Sequence, residues 1–228
     1  MSPITIIFIV FAGLAVLRVP VAFALGSAAM VGLWLSPVPI PISNITASMW
    51  QGVNTFVLLA VPFFIFLGNL ALVSGITRRL VDFAQAFVGH IPGGLAHVGV
   101  IVNMIMAGMS GSDLADAAAT GSVLIPSMKK AGYPVGYAGS LIAGAATIGP
   151  LIPPSIHFIV YSAATNISVG RLFLGGAMPG FILGLLLMLQ AYITARIRGY
   201  RREVRLPYRA RFRATLVSLP VLLIARAA

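Results

Sequence analysis

GMSGS at residues 108–112 and GPLIPPS at residues 149–155 decide how this chain folds, because each interrupts an otherwise apolar run. The second holds three prolines, Pro150, Pro153 and Pro154, in five positions. Proline has no N–H and clashes with the preceding turn, so a helix cannot pass through such a cluster. The first is a small, polar break in the middle of residues 93–127. What surrounds both is lipid-like. Of 228 residues 59% are hydrophobic and 8% charged, with a mean hydropathy of +1.03. A soluble domain keeps about a quarter of its residues charged, so this composition cannot cover a water-facing surface.

Outward from the breaks, apolar segments are expected at 3–17, 21–35, 50–73, 93–109, 113–128, 135–148, 155–165 and 172–195, with a last short run from 215 to 225. A span needs about 20 apolar residues, fewer inside a bundle. Residues 77–90 (TRRLVDFAQAFVGH) have apolar positions at helical spacing behind a basic pair, which predicts a helix lying in the interface. The net charge of +11 is a topology signal. Eight of fifteen basic residues, Arg196, Arg198, Arg201, Arg202, Arg205, Arg209, Arg211 and Arg213, follow one long apolar helix, and the rest are scattered singly or in pairs between apolar runs. Anionic lipid is the expected partner of this cluster, and no nucleic acid is expected. Placing Arg18, Arg78-Arg79, Lys129-Lys130 and the arginine cluster in the cytoplasm puts the amino terminus outside.

That assignment leaves residues 93–127 between two cytoplasmic loops, too long for one straight crossing and short for two. A re-entrant hairpin that turns at 108–112 satisfies both limits, and residues 135–166 then form a crossing broken at its centre. Two successive segments broken near mid-membrane are the pattern of a transporter binding site. Unwound carbonyls replace the water shell of a cation, and half-helix amino termini suit a carboxylate. Ser110 and Ser112 add hydroxyls that serve either ligand. Gly149 permits a tight turn, and the prolines hold carbonyls away from helix bonding.

SGSDLADAAATGSVLIPSMKKAGY (110–133) followed by AGAATIGPLIPPSIHFIVYSAAT (143–165) resembles the large membrane subunit of the tripartite ATP-independent periplasmic (TRAP) transporters, as do NTFVLLAVPFFIFLGNL (54–70) and RVPVAFALG (18–26). The resemblance implies an all-α integral membrane fold, the first inverted repeat of an elevator-type ion transporter. It implies sodium-driven uptake of an organic acid across the bacterial inner membrane, with a small TRAP membrane subunit and a periplasmic substrate-binding protein as partners. By the same resemblance sodium would be the coupling ion, and no other metal or cofactor is expected. By motif, Ser110 with the backbone at Gly149, Ile152 and Pro154 would hold sodium, and Ser112 and Ser155 would lie near the substrate carboxylate. Residues 1–92 would be scaffold helices with the interfacial helix, 93–170 the transport hairpin and broken helix, and 171–228 a transmembrane helix, a basic cytoplasmic loop and the start of a second repeat. Members of this family are about twice this length, so a second repeat is expected to begin near VSLPVLLIARAA (217–228), and this chain alone is not expected to transport.

Asp113 stands where the family usually has a small or polar residue and reads as a capping acid or a modifier of local charge. Asp116, an ionisable group in an apolar run, reads either as a coupling residue or as a hydrogen bond tying the hairpin arms. His157, two residues past the break, reads as packing, and the spacing of His90 and His97 does not resemble a metal pair. No phosphate-binding loop, nucleophile elbow or HExxH motif is present, so no enzyme is expected. Two other readings compete with the transporter: a non-transporting fragment that folds only with a partner chain, and a channel using the same unwound carbonyls.

Overall fold

The computed structural model describes residues 3–36, 41, 43–200, 215 and 218. Every regular element among the described residues is helical. The helices are α1 (Pro3–Val16), α2 (Val21–Trp34), α3 (Ser43–Val53), α4 (Ala60–Val73, entered by a 3-10 turn over Phe56–Leu59), α5 (Ile76–Val88), α6 (Gly94–Ser110), α7 (Asp113–Lys130), α8 (Val135–Ala146), α9 (Ile156–Thr165) and α10 (Val169–Arg198). The chain divides into two compact units, Met1–Thr55 and Phe56–Ala228.

In the first unit α1 packs along α2. Ala24, Ala28 and Gly32 recur every four residues and so share one face of α2. Ala24 and Ala28 are buried, and a Cβ at Gly32 would meet the Ile7 side chain 2.5 Å away, which turns that face toward α1. Small residues let the two backbones approach closely. Large apolar side chains stand on the remaining surface, with Phe8, Phe23 and Trp50 all about two-thirds exposed.

The second unit is built around α6, which touches α4, α5, α7, α8 and α10. An apolar helix without a polar face has to be buried all round. Val98, Val102, Met106 and Met109 of α6 join one core with Leu80, Val81, Leu124 and Ile142, while Leu95, Ala96 and Val100 join a second with Met128, Tyr133, Leu141, Ile148 and Ala191. The reversal from α7 to α8 needs glycine: Gly132 has φ +89°, and the amides of Gly132 and Tyr133 return to the carbonyls of Lys129 and Met128. On α10, Gly176, Gly180, Gly184, Ala191 and Ala195 are buried. A Cβ at Gly180 would lie 2.8 Å from Ile152 Cγ1 and 3.1 Å from Leu151 Cβ, and one at Gly184 2.5 Å from the Met104 sulfur. This small-residue stripe is the floor on which the 149–155 break and α6 rest.

The expected segments at 3–17, 21–35, 93–109, 113–128, 135–148, 155–165 and 172–195 each coincide with a helix. The run at 50–73 differs. It is divided between the end of α3, a junction at Asn54-Thr55, the 3-10 turn and α4. Pro62 explains the division, because a proline is free of penalty only in the first turn of a helix, so the helix holding Pro62 starts just before it. Single prolines elsewhere do not stop a helix: Pro126 lies within α7 and Pro179 within α10. The amphipathic segment forms α5, with Thr77, Leu80, Val81, Ala84 and Ala86 buried and Arg78, Arg79 and Asp82 exposed. Among the described helices α10 is long and apolar enough to cross a membrane by itself; α1, α2, α6, α8 and α9 are apolar but shorter. Apart from Thr215 and Ser218 the last apolar run falls outside the described residues, as do six of the clustered arginines.

Two glycines of α10 separate packing from propensity. Gly180→Ala is expected to lower stability by about 1–3 kcal/mol through overpacking against Leu151 and Ile152. Gly175→Ala, at a position with nothing within 4 Å of the added carbon, is expected to raise it by up to about 1 kcal/mol through helix propensity. Thermal unfolding of the two variants in detergent checks the opposite signs.

Candidate functional site

Helix α6 ends at Ser110 because Gly111 is left-handed, with φ +57° and its N–H bonded to the Ala107 carbonyl. An alanine here would be strained and crowded at once: its Cβ would lie 3.0 Å from Ile156 N, 3.1 Å from Pro154 O and 3.3 Å from Ser155 Cα. The next residue, Ser112, is extended and caps α7, its Oγ accepting from the Ala115 N–H at 3.4 Å. Asp113 and Asp116 then occupy the first turn of α7, where the helix dipole favours negative charge.

The second break repeats the device. α8 closes at Ala146, and the amides of Ile148 and Gly149 turn back to the carbonyls of Ala145 and Ala146. Pro150, Pro153 and Pro154 keep residues 149–154 out of regular helix. Ser155, extended like Ser112, caps α9 by accepting from the Phe158 N–H at 3.5 Å. Each half-helix therefore starts on a serine whose oxygen satisfies one of the free amides.

Hairpin tip and break are in contact at three points. Gly111 lies against residues 154–156, and a Cβ at Gly108 would sit 3.7 Å from Pro153 O. From the other side, a Cβ at Gly149 would lie 3.4 Å from Asp116 Oδ2 and 3.5 Å from the Asp113 amide nitrogen. α4 closes the tip from a third direction, with Gly68 facing Ser110 so that an added carbon would be 3.4 Å from Ser110 Cβ.

The hydrogen bonds assign each polar atom a role. Ser110 Oγ donates to Asp116 Oδ1 at 2.6 Å and accepts from the Ser112 N–H at 3.2 Å, which leaves it one lone pair. Thr120 Oγ1 donates to the Asp116 carbonyl at 2.6 Å, and Asn103 Nδ2 donates to Thr120 Oγ1 at 3.2 Å and to the Gly99 carbonyl at 2.8 Å. Ser110, Asp116, Thr120 and Asn103 are all buried, so one polar chain joins α6 to α7 from the tip toward the middle of both helices. Asp116 Oδ2 is buried and has no hydrogen-bond partner among the described residues. The tip is thus rich in acceptors, as a cation requires. Ser112 is half-buried and spends an acceptor lone pair on its cap, so its O–H is left to donate, as an anion requires.

The residues expected in the site come together unevenly. Ser110, Gly149 and Asp116 converge, and Pro154 O lies at Gly111. Ile152 is half-buried and packs on Gly180, with its N–H bonded to the Ile148 carbonyl at 3.0 Å. Ser155 is fully buried beneath Gly111, whereas Ser112 and Asp113 reach the surface. Asp113 Oδ1 accepts from the Leu114 N–H, a bond within its own turn. His157 is exposed, and His97 is buried with Nδ1 2.9 Å from the Gly93 carbonyl. Gly68, Asn103 and Thr120 went unread in the sequence. For two of them a signal existed: Asn103 lies seven residues before Ser110 and Thr120 four after Asp116, spacings that put each pair on one helix face.

Residues 8–225 match the family model of the tripartite ATP-independent periplasmic transporter, DctM component. The chain is similar to the C4-dicarboxylate TRAP transporter large permease protein DctM of Vibrio cholerae serotype O1, 41% identical over 202 residues, which cover 88% of this chain and 44% of that one. It is 40% identical to the sialic acid TRAP transporter large permease protein SiaM of the same organism, over 89% of this chain and 47% of the relative. A third relative is the 2,3-diketo-L-gulonate TRAP transporter large permease protein YiaN of Escherichia coli K12, 43% identical over 75% of this chain and 40% of its own length. The chain spans about half the length of these curated relatives. With the SGS tip and the GPLIPPS break in contact and the match running over residues 8–225, the chain belongs to the family of DctM components of tripartite ATP-independent periplasmic transporters.

Proposed function

We propose that this chain forms the sodium-binding half of a permease that takes up an organic acid across a bacterial inner membrane. The observation that carries the reading is the contact of the hairpin tip with the proline break, each closed by a serine cap. Unwound carbonyls and the remaining Ser110 lone pair supply cation ligands, while the Ser112 hydroxyl and the start of α7 face an anion. The named substrates of the three relatives are C4-dicarboxylate, sialic acid and 2,3-diketo-L-gulonate, which makes a carboxylate the substrate class proposed here.

In this reading α6 and α7 form a re-entrant hairpin that enters from the cytoplasm, and α8 and α9 are the two arms of one broken crossing. Residues 93–170 move as the transport part of an elevator, and residues 1–92 serve as scaffold. α5 lies in the interface with Arg78 and Arg79 toward the cytoplasm, the amino terminus is periplasmic, and the arginine cluster after α10 meets anionic lipid. A small membrane subunit and a periplasmic binding protein complete the system. The second ion and substrate contacts come from a second repeat.

Two substitutions separate the roles of neighbouring serines, each made at the equivalent position of a full-length relative reconstituted with its binding protein. Ser110→Ala is expected to raise the sodium concentration for half-maximal uptake about tenfold, the loss of one hydroxyl interaction with a charge, with little change in substrate half-saturation. Ser112→Gly keeps most of the capping energy. It is expected to raise substrate half-saturation about tenfold and to leave sodium dependence unchanged. Uptake into sodium-free vesicles at varied external sodium and varied external substrate measures both, and unaltered sodium dependence for Ser110→Ala would remove Ser110 from the ion site.

A further inference from the structure

We propose that Asp116 is the anionic ligand of the cation site, its Oδ2 binding the ion beside Gly149. The proposal deepens the sodium reading above and rests on it. Asp116 has no exposed surface, and its two oxygens are treated differently. Oδ1 holds the Ser110 hydroxyl at 2.6 Å, whereas Oδ2 has no hydrogen-bond partner among the described residues. A buried carboxylate oxygen in that condition is costly unless a positive charge or a donor meets it.

The neighbouring amides do not supply the donor. At the start of α7 the Leu114 N–H goes to Asp113 Oδ1, the Ala115 N–H to Ser112 Oγ and the Asp116 N–H to the Ser112 carbonyl. Nor does a basic side chain among the described residues, since the side chains acting on Asp116 there are Ser110 and a second carboxylate, Asp113. Oδ2 instead points at the break, 3.4 Å from where a Gly149 side chain would begin. The proton of Ser110 is committed to Oδ1, so one lone pair of its oxygen stays free. One carboxylate oxygen, one hydroxyl oxygen and the carbonyls of an unwound segment form an all-oxygen set suited to a hard cation. With a single carboxylate in the set, the charge matches a monovalent ion.

The proposal separates a ligand from a merely structural acid by the sign of the stability change without sodium. The whole chain in lipid nanodiscs is unfolded thermally in mixtures of sodium chloride and choline chloride at constant ionic strength. The wild-type melting temperature is expected to rise with sodium. Asp116→Asn is expected to need at least about tenfold more sodium for the same rise, the cost of losing a charged ligand, while melting in choline at or above the wild-type temperature because a buried charge is gone. Gly149→Ala keeps the charge but puts a methyl group against Oδ2 and is expected to weaken sodium severalfold; it carries the test where Asp116→Asn does not fold. A wild-type sodium midpoint in either variant overturns the assignment, as does an Asp116→Asn melting temperature lowered equally in both salts. A wild-type chain indifferent to sodium overturns the sodium reading itself.

Discussion

Backbone released from a helix inside an apolar protein has to find partners, and here each released segment finds them in its own turn and serine cap while the two pack against each other. In lipid or a dry interior an unsatisfied amide or carbonyl costs several kcal/mol, so a broken helix is stable only where its ends are capped or covered. The chain meets that demand with one device used twice. A serine in extended conformation caps each new half-helix, and glycine is placed wherever the two breaks touch. At Gly111 a side chain would be strained and crowded against residues 154–156, and at Gly149 its first carbon would already touch Asp113 and Asp116. The small faces of α4 and α10 extend the same logic outward, with Gly68 over the tip and Gly180 under the break.

The same constraint turns structure into chemistry. Polar atoms that hold the tip together are left with one unspent lone pair on Ser110 and one unpartnered oxygen on Asp116, both buried at the contact. An ion bound there would bridge the hairpin and the broken helix, so binding and closure of the two breaks would be a single event. Ligand affinity for one arrangement is what biases a moving element toward it. The chain from Asp116 through Thr120 to Asn103 ties α7 to α6 and keeps the hairpin arms together as one body.

Much of this was legible in the sequence because prolines and glycines act locally. Three prolines in five residues end a helix whatever surrounds them, and the SGS tip was placed to the residue by its small polar composition between apolar arms. The hairpin charges were visible too, since Asp113 and Asp116 are half of the four acidic residues in the chain. What escaped was what depends on three dimensions. Pro62 was read inside one long apolar run because a proline in a first turn leaves apolarity unchanged while shifting the helix start. Asn103 and Thr120 look like ordinary polar residues in apolar helices until α6 is laid against α7. That Ser155 is covered while Ser112 reaches the surface follows from which side of the break Gly111 occupies, and spacing alone carries no such information.

The contact between tip and break is the claim on which everything else rests, and a chain without native cysteine allows it to be tested directly. The measurement is disulfide formation by the Gly108→Cys/Pro153→Cys pair in membranes, compared with the Gly175→Cys/Pro153→Cys pair. A Cβ at Gly108 would lie 3.7 Å from Pro153 O, so the two backbones come together at this point. The account predicts rapid, near-complete cross-linking of the first pair and little of the second. Equal, slow oxidation of both pairs would mean that the hairpin does not meet the broken helix, and the shared site would not exist.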